Sequence, residues 1–146
     1  RTHKRKEQAY DQLYEELRGY KENFLLQAQK PIFKDVILLF DAIRRVLRNV
    51  EAHEGDTVPR ELVEDGLKHI RDEVLELLYR RDIELIEDYP DKLNIDFQKP
   101  VKRIDVDNPE EDRDVVEIVR EGFRLNGATM RPQEVVVKRC VKESET

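Results

Sequence analysis

The stretch from Asp114 to Lys138 constrains this chain most, because it is the one densely β-patterned segment in a strongly helical sequence. Asn126-Gly127 stands between two alternating segments, and this dipeptide favours a type I′ hairpin turn because both central residues need positive φ. Pro132 has no amide hydrogen for a sheet ladder, so it should begin the last strand or lie on a sheet edge. We therefore predict a small all-β domain at the C-terminal end.

The first thirty residues have the periodicity of a helix with one apolar seam. Between Lys6 and Lys30 the apolar residues recur at alternating steps of three and four, and most other positions are charged or amide. Such a polar helix needs a second helix against its seam, either its own copy in a parallel dimer or a helix of its own domain, and periodicity alone does not distinguish the two. Pro31 predicts a kink or a junction at the end of this helix.

Two further helical segments follow Pro31. Ile32 to Val50 is apolar on more than one face, which is typical of a helix inside a bundle. Glu51 to Pro59 reads as a loop from its glycine, proline and acidic residues, and a second amphipathic helix follows it. The pair predicts an antiparallel hairpin, and two hairpins from two chains would form a four-helix bundle.

These segments predict an α+β fold: a long helix at 1–31 paired in parallel in a dimer, bundle helices at 32–82, a β-domain at 83–140 and a polar tail at 141–146. The seam positions of the three helical segments are the predicted dimer interface. They are Leu13, Leu17, Phe24, Phe33, Phe40, Ile43, Leu47, Leu67, Ile70 and Val74.

Composition narrows the classes of function. Charged residues make up 41% of the chain, which is high for a compact monomer and suggests a partner. The net charge of −6 argues against a general nucleic-acid binder, and the basic run Arg1 to Lys6 is best explained as a solvated helix start. Cys140 is the single cysteine, as expected in a reducing compartment. No apolar run has the length of a membrane span and no signal peptide is recognisable, so we expect a soluble, cytoplasmic protein without a membrane partner.

No pattern in the sequence indicates catalysis. The three histidines, His3, His53 and His69, have no metal-ligand spacing with each other or with Cys140. The five glycines are scattered and form no phosphate-binding loop, and no nucleophile stands with a matching base. We therefore expect no catalytic residues, no metal, no cofactor and no enzymatic activity.

Four stretches of the chain carry a recognisable pattern: Gly122-Phe123-Arg124-Leu125-Asn126-Gly127, Met130-Arg131-Pro132, Val135-Val136-Val137 and the run IFKDVILLFDAIRRVL from Ile32 to Leu47. The first three resemble the β-domain of the GrpE family, the nucleotide exchange factors of DnaK-type heat-shock chaperones. The resemblance extends to the first bundle helix, where Asp41 and Arg45 occupy matching positions, although Leu38 replaces the family's usual proline and Asp82 replaces a helix-ending glycine.

The resemblance implies a homodimer that binds the ATPase domain of a DnaK-type chaperone and accelerates ADP release by favouring an open nucleotide cleft. The alternative is a dimeric adaptor that presents its β-domain to another protein. Arg131 matches a family arginine. A second basic position is Ala128 here, so Arg120 or Arg124 is expected to supply that charge. The contact positions carried over are Val119, Arg120, Arg124, Arg131, Val137, Arg18 and Lys21.

Strand alternation adds a prediction about Val119. If Val116 and Ile118 point into the β-domain, Val119 points outward beside Arg120. An outward apolar residue next to a basic one is a plausible binding hot spot.

Overall fold

The computed structural model describes residues 2–141, and the chain divides into two compact units, residues 1–73 and 74–146. The predicted α+β fold is confirmed, with a long first helix, a second helix and a small β-unit of two sheets. Of the predicted polar tail, all but Val141 lies outside the described residues. The elements are α1 Thr2–Glu51, α2 Arg60–Tyr79, β1 Ile83–Leu85, β2 Gln98–Val106, a 3-10 turn Pro109–Glu111, β3 Val115–Arg120, β4 Phe123–Leu125, β5 Ala128–Arg131 and β6 Gln133–Cys140.

Helix α1 is continuous through Pro31. Its 50 residues extend about 75 Å at the usual rise per residue. Proline removes one backbone hydrogen bond from the helix interior, but the position is exposed and the helix continues to Glu51. Residue 31 therefore does not separate two helices, as a junction there would have required.

The apolar seam of the helical unit is uncovered in the single chain. Ala42 is the one buried residue of α1. Ile70 and Val74 on α2 are half-buried. The other predicted interface residues are between 50% and 65% exposed: Leu13, Leu17, Phe24, Phe33, Phe40, Ile43, Leu47 and Leu67.

Helices α1 and α2 approach closely where Gly66 faces Val46. A Cβ atom on Gly66 would lie inside van der Waals contact distance of the Val46 Cγ1 methyl group. Valine is stiff about χ1, so it cannot swing away cheaply. The missing side chain of Gly66 is therefore what permits the approach.

We expect Gly66→Ala to destabilise the helical unit, whereas Gly19→Ala should stabilise it. Gly19 also lies inside a helix, but it has open space around its Cα. Alanine there should therefore contribute up to about 1 kcal/mol of helix propensity. At Gly66 an overpacking term of about 1–3 kcal/mol opposes that gain. Urea unfolding followed by helical circular dichroism measures both, and Val46→Ala should rescue Gly66→Ala. Equal stabilisation by the two alanines would contradict the close approach.

The β-unit contains two three-stranded sheets, ordered β1-β4-β5 and β2-β6-β3. The predicted hairpin is confirmed: Asn126 and Gly127 have φ of 50° and 81° and join β4 to β5. Asp82 has φ of 62° just after α2, so it adopts the left-handed conformation of the glycine it replaces. Strand β6 is the centre of the second sheet, antiparallel to β3 and parallel to β2.

A pair of buried glutamines in the second sheet binds the chain that precedes β2. The Gln133 side-chain amide donates to the carbonyl oxygens of Ile86 at 3.1 Å and Asp88 at 3.0 Å. Its oxygen accepts from Gln98 Nε2 at 2.9 Å, and Gln98 Oε1 accepts from the amide of Asn94 at 3.0 Å. The network is fully satisfied, as a buried polar group requires.

Candidate functional site

Strand β3 turns two apolar side chains outward. Its pairing with β6 shifts register between Val115 and Glu117 and again between Ile118 and Arg120. The residues omitted from the pairing are Val116 and Val119, which are 48% and 53% exposed. Such irregularities re-aim side chains and recur near functional sites. The result is an exposed surface on an edge strand, here called the β3 surface, formed by Val116, Val119 and Arg120.

One part of the alternation prediction is wrong. Val116 was expected to point inward, but the first register shift in β3 takes it out of the period-two pattern, and it is exposed. The second register shift takes Val119 out of the regular pairing as well, and Val119 is exposed. Ile118 between them is half-buried.

The predicted basic contacts differ in how firmly the β-unit holds them. Within residues 2–141, Arg120 makes only a long ion pair to Glu134, at 3.7 Å, and it is exposed. Arg124 stacks its guanidinium over the Phe97 ring at 5.3 Å. Arg131 stacks over Phe123 at 5.1 Å.

Arg131 is also bound to the corner at Glu121. Its Nε and Nη2 donate to the Glu121 carbonyl oxygen at 3.1 and 2.8 Å. The Glu121 carboxylate accepts from the Tyr89 hydroxyl at 3.0 Å. Partial burial, followed by this hydrogen bond, raises the pKa of Tyr89. Arg131 therefore braces the corner between β3 and β4.

The prediction that Val137 is a surface contact is wrong. It was predicted to touch the chaperone, but it is 4% exposed in the middle of β6. Because β6 is paired on both sides, its valines form the core of the second sheet. Val137 acts on any binding surface only by supporting it.

Arg18 and Lys21 lie on the exposed surface of α1. They line a shallow depression of about 260 Å³ together with Leu17 and Leu25. Arg18 Nε is paired with Glu22 Oε1 at 3.2 Å, one helical turn away. Such an exposed pair contributes little to stability.

Within residues 2–141, no three His, Cys, Asp or Glu side chains are grouped so that they would hold a metal ion. In the same part of the chain, no helix is both long enough and apolar enough to cross a bilayer.

A helical unit with an uncovered apolar seam, joined to a small β-unit with outward valines, is the architecture of a protein that binds other proteins. A family model described as GrpE matches residues 1–139, so the chain belongs to the GrpE family. Membership supports a general role as a nucleotide exchange co-chaperone, with a DnaK-type chaperone as its partner. The members of this family are co-chaperones and not catalytic enzymes. No curated protein matches the chain.

Proposed function

We propose that this protein accelerates ADP release from the ATPase domain of a DnaK-type chaperone by binding the open form of its nucleotide cleft. A protein that binds the open state more tightly than the closed state shifts the equilibrium by that differential affinity. Nucleotide then leaves faster without any catalytic group. The family match over residues 1–139 carries the proposal.

The β3 surface is the proposed point of contact. It offers two uncovered valines beside Arg120, whose side chain is held by a long ion pair to Glu134. Apolar anchors next to arginine are the composition of interface hot spots. Arg124 and Arg131, both half-buried, are proposed to hold the neighbouring strands in position and to contact the chaperone with the exposed parts of their side chains. Arg18 and Lys21 are the proposed contacts on the helix.

The active form is proposed to be a homodimer. Eight seam residues are at least half exposed in one chain, and a second copy of the same seam would cover them. We also propose a cytoplasmic location, which fits a chain with one unpaired thiol.

Val119→Asp should abolish accelerated nucleotide release while leaving the fold intact. Because Val119 is exposed, its replacement should change the free energy of unfolding by less than about 0.5 kcal/mol. A carboxylate in the centre of the contact would be desolvated on binding, which is costly. Stopped-flow release of a fluorescent ADP analogue from the chaperone ATPase domain measures the effect.

Met130→Asp is the matched control. Met130 has nearly the same exposure as Val119 but lies on β5 of the other sheet. It should leave the release rate unchanged. Full activity of Val119→Asp would remove the β3 surface from the site. Failure of the unaltered protein to accelerate release would instead favour the adaptor function.

A further inference from the structure

A charged cleft lies at the C-terminal end of β6, between β2 and the residues that precede β3. The parallel pairing of β2 with β6 places Arg103 opposite Val137 and Asp105 opposite Arg139. A cleft of about 450 Å³ opens beside these strands. Four cationic side chains line it, here called the basic cleft: Arg103, Arg113, Lys138 and Arg139. One carboxylate, that of Asp112, lines it as well.

Two of the four cations are uncommitted. Lys138 Nζ is paired with Glu111 Oε1 at 3.1 Å, and Arg113 Nη2 donates to the Leu93 carbonyl at 3.1 Å. No hydrogen bond or ion pair within residues 2–141 engages the guanidinium of Arg103 or of Arg139.

Acidic side chains offset only part of this positive charge. Asp112 lines the cleft, with its Oδ1 accepting the backbone amide of Cys140 at 2.8 Å, and Glu111 is paired with Lys138. Asp105 lies opposite Arg139 in the ladder, but no ion pair joins the two within residues 2–141. Four cations against these three carboxylates leave one positive charge in excess, on a chain whose net charge is −6.

Backbone strain occurs at the same place. Arg113 has φ of 70°. Residues other than glycine, asparagine and aspartate rarely adopt this left-handed conformation. Its amide donates to the Lys138 carbonyl at 2.8 Å, which holds it there. Strained residues of this kind cluster at functional sites.

Protection of a sheet edge does not explain both arginines. Arg103 is on β2, an edge strand, where a charge blocks pairing with other chains. Arg139 is on β6 beyond Val137, the last residue of β6 that pairs with β3. On that side of the strand the Asp114 carbonyl oxygen and the Asp112 carboxylate already accept the Lys138 and Cys140 amides. With β2 on the other side, Arg139 has no free edge to protect.

We propose that the basic cleft receives an acidic segment of the chaperone's ATPase domain, whose carboxylates are bound by Arg103 and Arg139. The inference rests on the proposed function and adds a second contact to it. Guanidinium groups bind carboxylates in bidentate fashion, and uncommitted ones are free to do so. A negatively charged chain repels extended polyanions, so a localised acidic segment of a protein fits the cleft better than nucleic acid.

Charge reversal at both arginines tests this inference. Arg103→Glu with Arg139→Glu should raise the Kd for the chaperone ATPase domain about tenfold or more, since charge-assisted hydrogen bonds are lost. The reversed charges still block edge pairing, so an edge role would leave the Kd unchanged. Isothermal titration calorimetry with the full chain, at low and at physiological salt, gives the values. Lys102→Glu, adjacent on β2 but outside the cleft, should change the Kd less than about twofold by charge alone.

The outcomes separate the proposals. An equal loss from Lys102→Glu would mean long-range attraction alone and would overturn the cleft. An unchanged Kd in the double variant would also overturn the cleft. In that case, loss of activity in Val119→Asp would still uphold the proposed function. Unaltered protein that does not bind the ATPase domain would overturn both.

Two further measurements complete the test. If the double variant melts early, Arg103→Gln with Arg139→Gln keeps the size and polarity of both sites, and it should still weaken binding. A single-stranded oligonucleotide serves as the alternative probe. Should the unaltered protein hold it and the variant lose it, with chaperone binding unchanged, the cleft would be a phosphate site and the proposal would fail.

Discussion

Gln133→Leu should unfold the β-unit under conditions in which the unaltered protein is stable. Leucine removes the donor to the Ile86 carbonyl oxygen and the acceptor for Gln98 Nε2. Ile86 and Gln98 are both buried, and Gln133 itself is 0% exposed. Each orphaned group is expected to cost about 1–3 kcal/mol. The total is a large fraction of the roughly 4–11 kcal/mol that stabilises a unit of this size.

Hydrogen exchange of the β6 amides measures this loss locally, because exchange reports the stability of each cooperative unit separately. The matched control is Gln8→Leu, the same substitution at an exposed position of α1. It should leave β6 protection unchanged. Retained protection in Gln133→Leu would show that the glutamine network contributes no stability.

Gln133→Glu gives the same site a pH dependence. The new carboxylate would face two carbonyl oxygens without a proton to donate, and burial raises its folded-state pKa. The folded state then binds the proton more tightly than the unfolded state does. The variant should therefore be least stable near neutral pH and recover as pH falls towards about 4.3, the unfolded value for glutamate.

Local signals in the sequence predicted local structure well. Asn126-Gly127 requires positive φ at adjacent residues, and the turn follows directly from that requirement. The helices follow from apolar spacing over many turns. Pro31 does not mark a junction, because one lost hydrogen bond does not end a helix that continues favourably on both sides, and the kink stays a prediction.

Distant pairing was beyond the sequence. Gln98 and Gln133 are 35 residues apart, and glutamine in a charged chain looks like a surface residue until β2 pairs with β6. The burial of Val137 has the same origin, since nothing local reveals that β6 is a central strand. Val116 was misplaced because strict alternation assumes an unbroken ladder, and a single omitted residue reverses the faces. Arg113 carried no signal at all for its left-handed backbone.

Phe40→Glu combined with Leu47→Glu should convert the proposed dimer into monomer or unfolded chain. Both side chains are more than half exposed in a single chain and lie on the predicted interface. A carboxylate buried there without a partner costs about 3 kcal/mol or more, so the four carboxylates of a dimer, about 12 kcal/mol together, should raise the dimer Kd by about eight orders of magnitude.

Sedimentation equilibrium measures the association directly. Gln27→Glu with Gln29→Glu is the control, because it adds the same two negative charges to α1 at exposed amide positions and keeps every seam residue. That variant should remain dimeric. Persistence of a stable dimer in Phe40→Glu/Leu47→Glu would place the interface elsewhere.

The same interface predicts how the two units melt. Helix α1 buries almost none of its side chains within one chain. A helix in a protein owes most of its stability to the packing of its apolar face. Its helical signal should therefore melt at a temperature that rises with protein concentration, as association requires. The β-unit has its own buried core of valines and glutamines, so the exchange of its β6 amides should not depend on concentration. A helical signal that melts independently of concentration would mean that α1 is stabilised within one chain, and the seam would lose its assigned role.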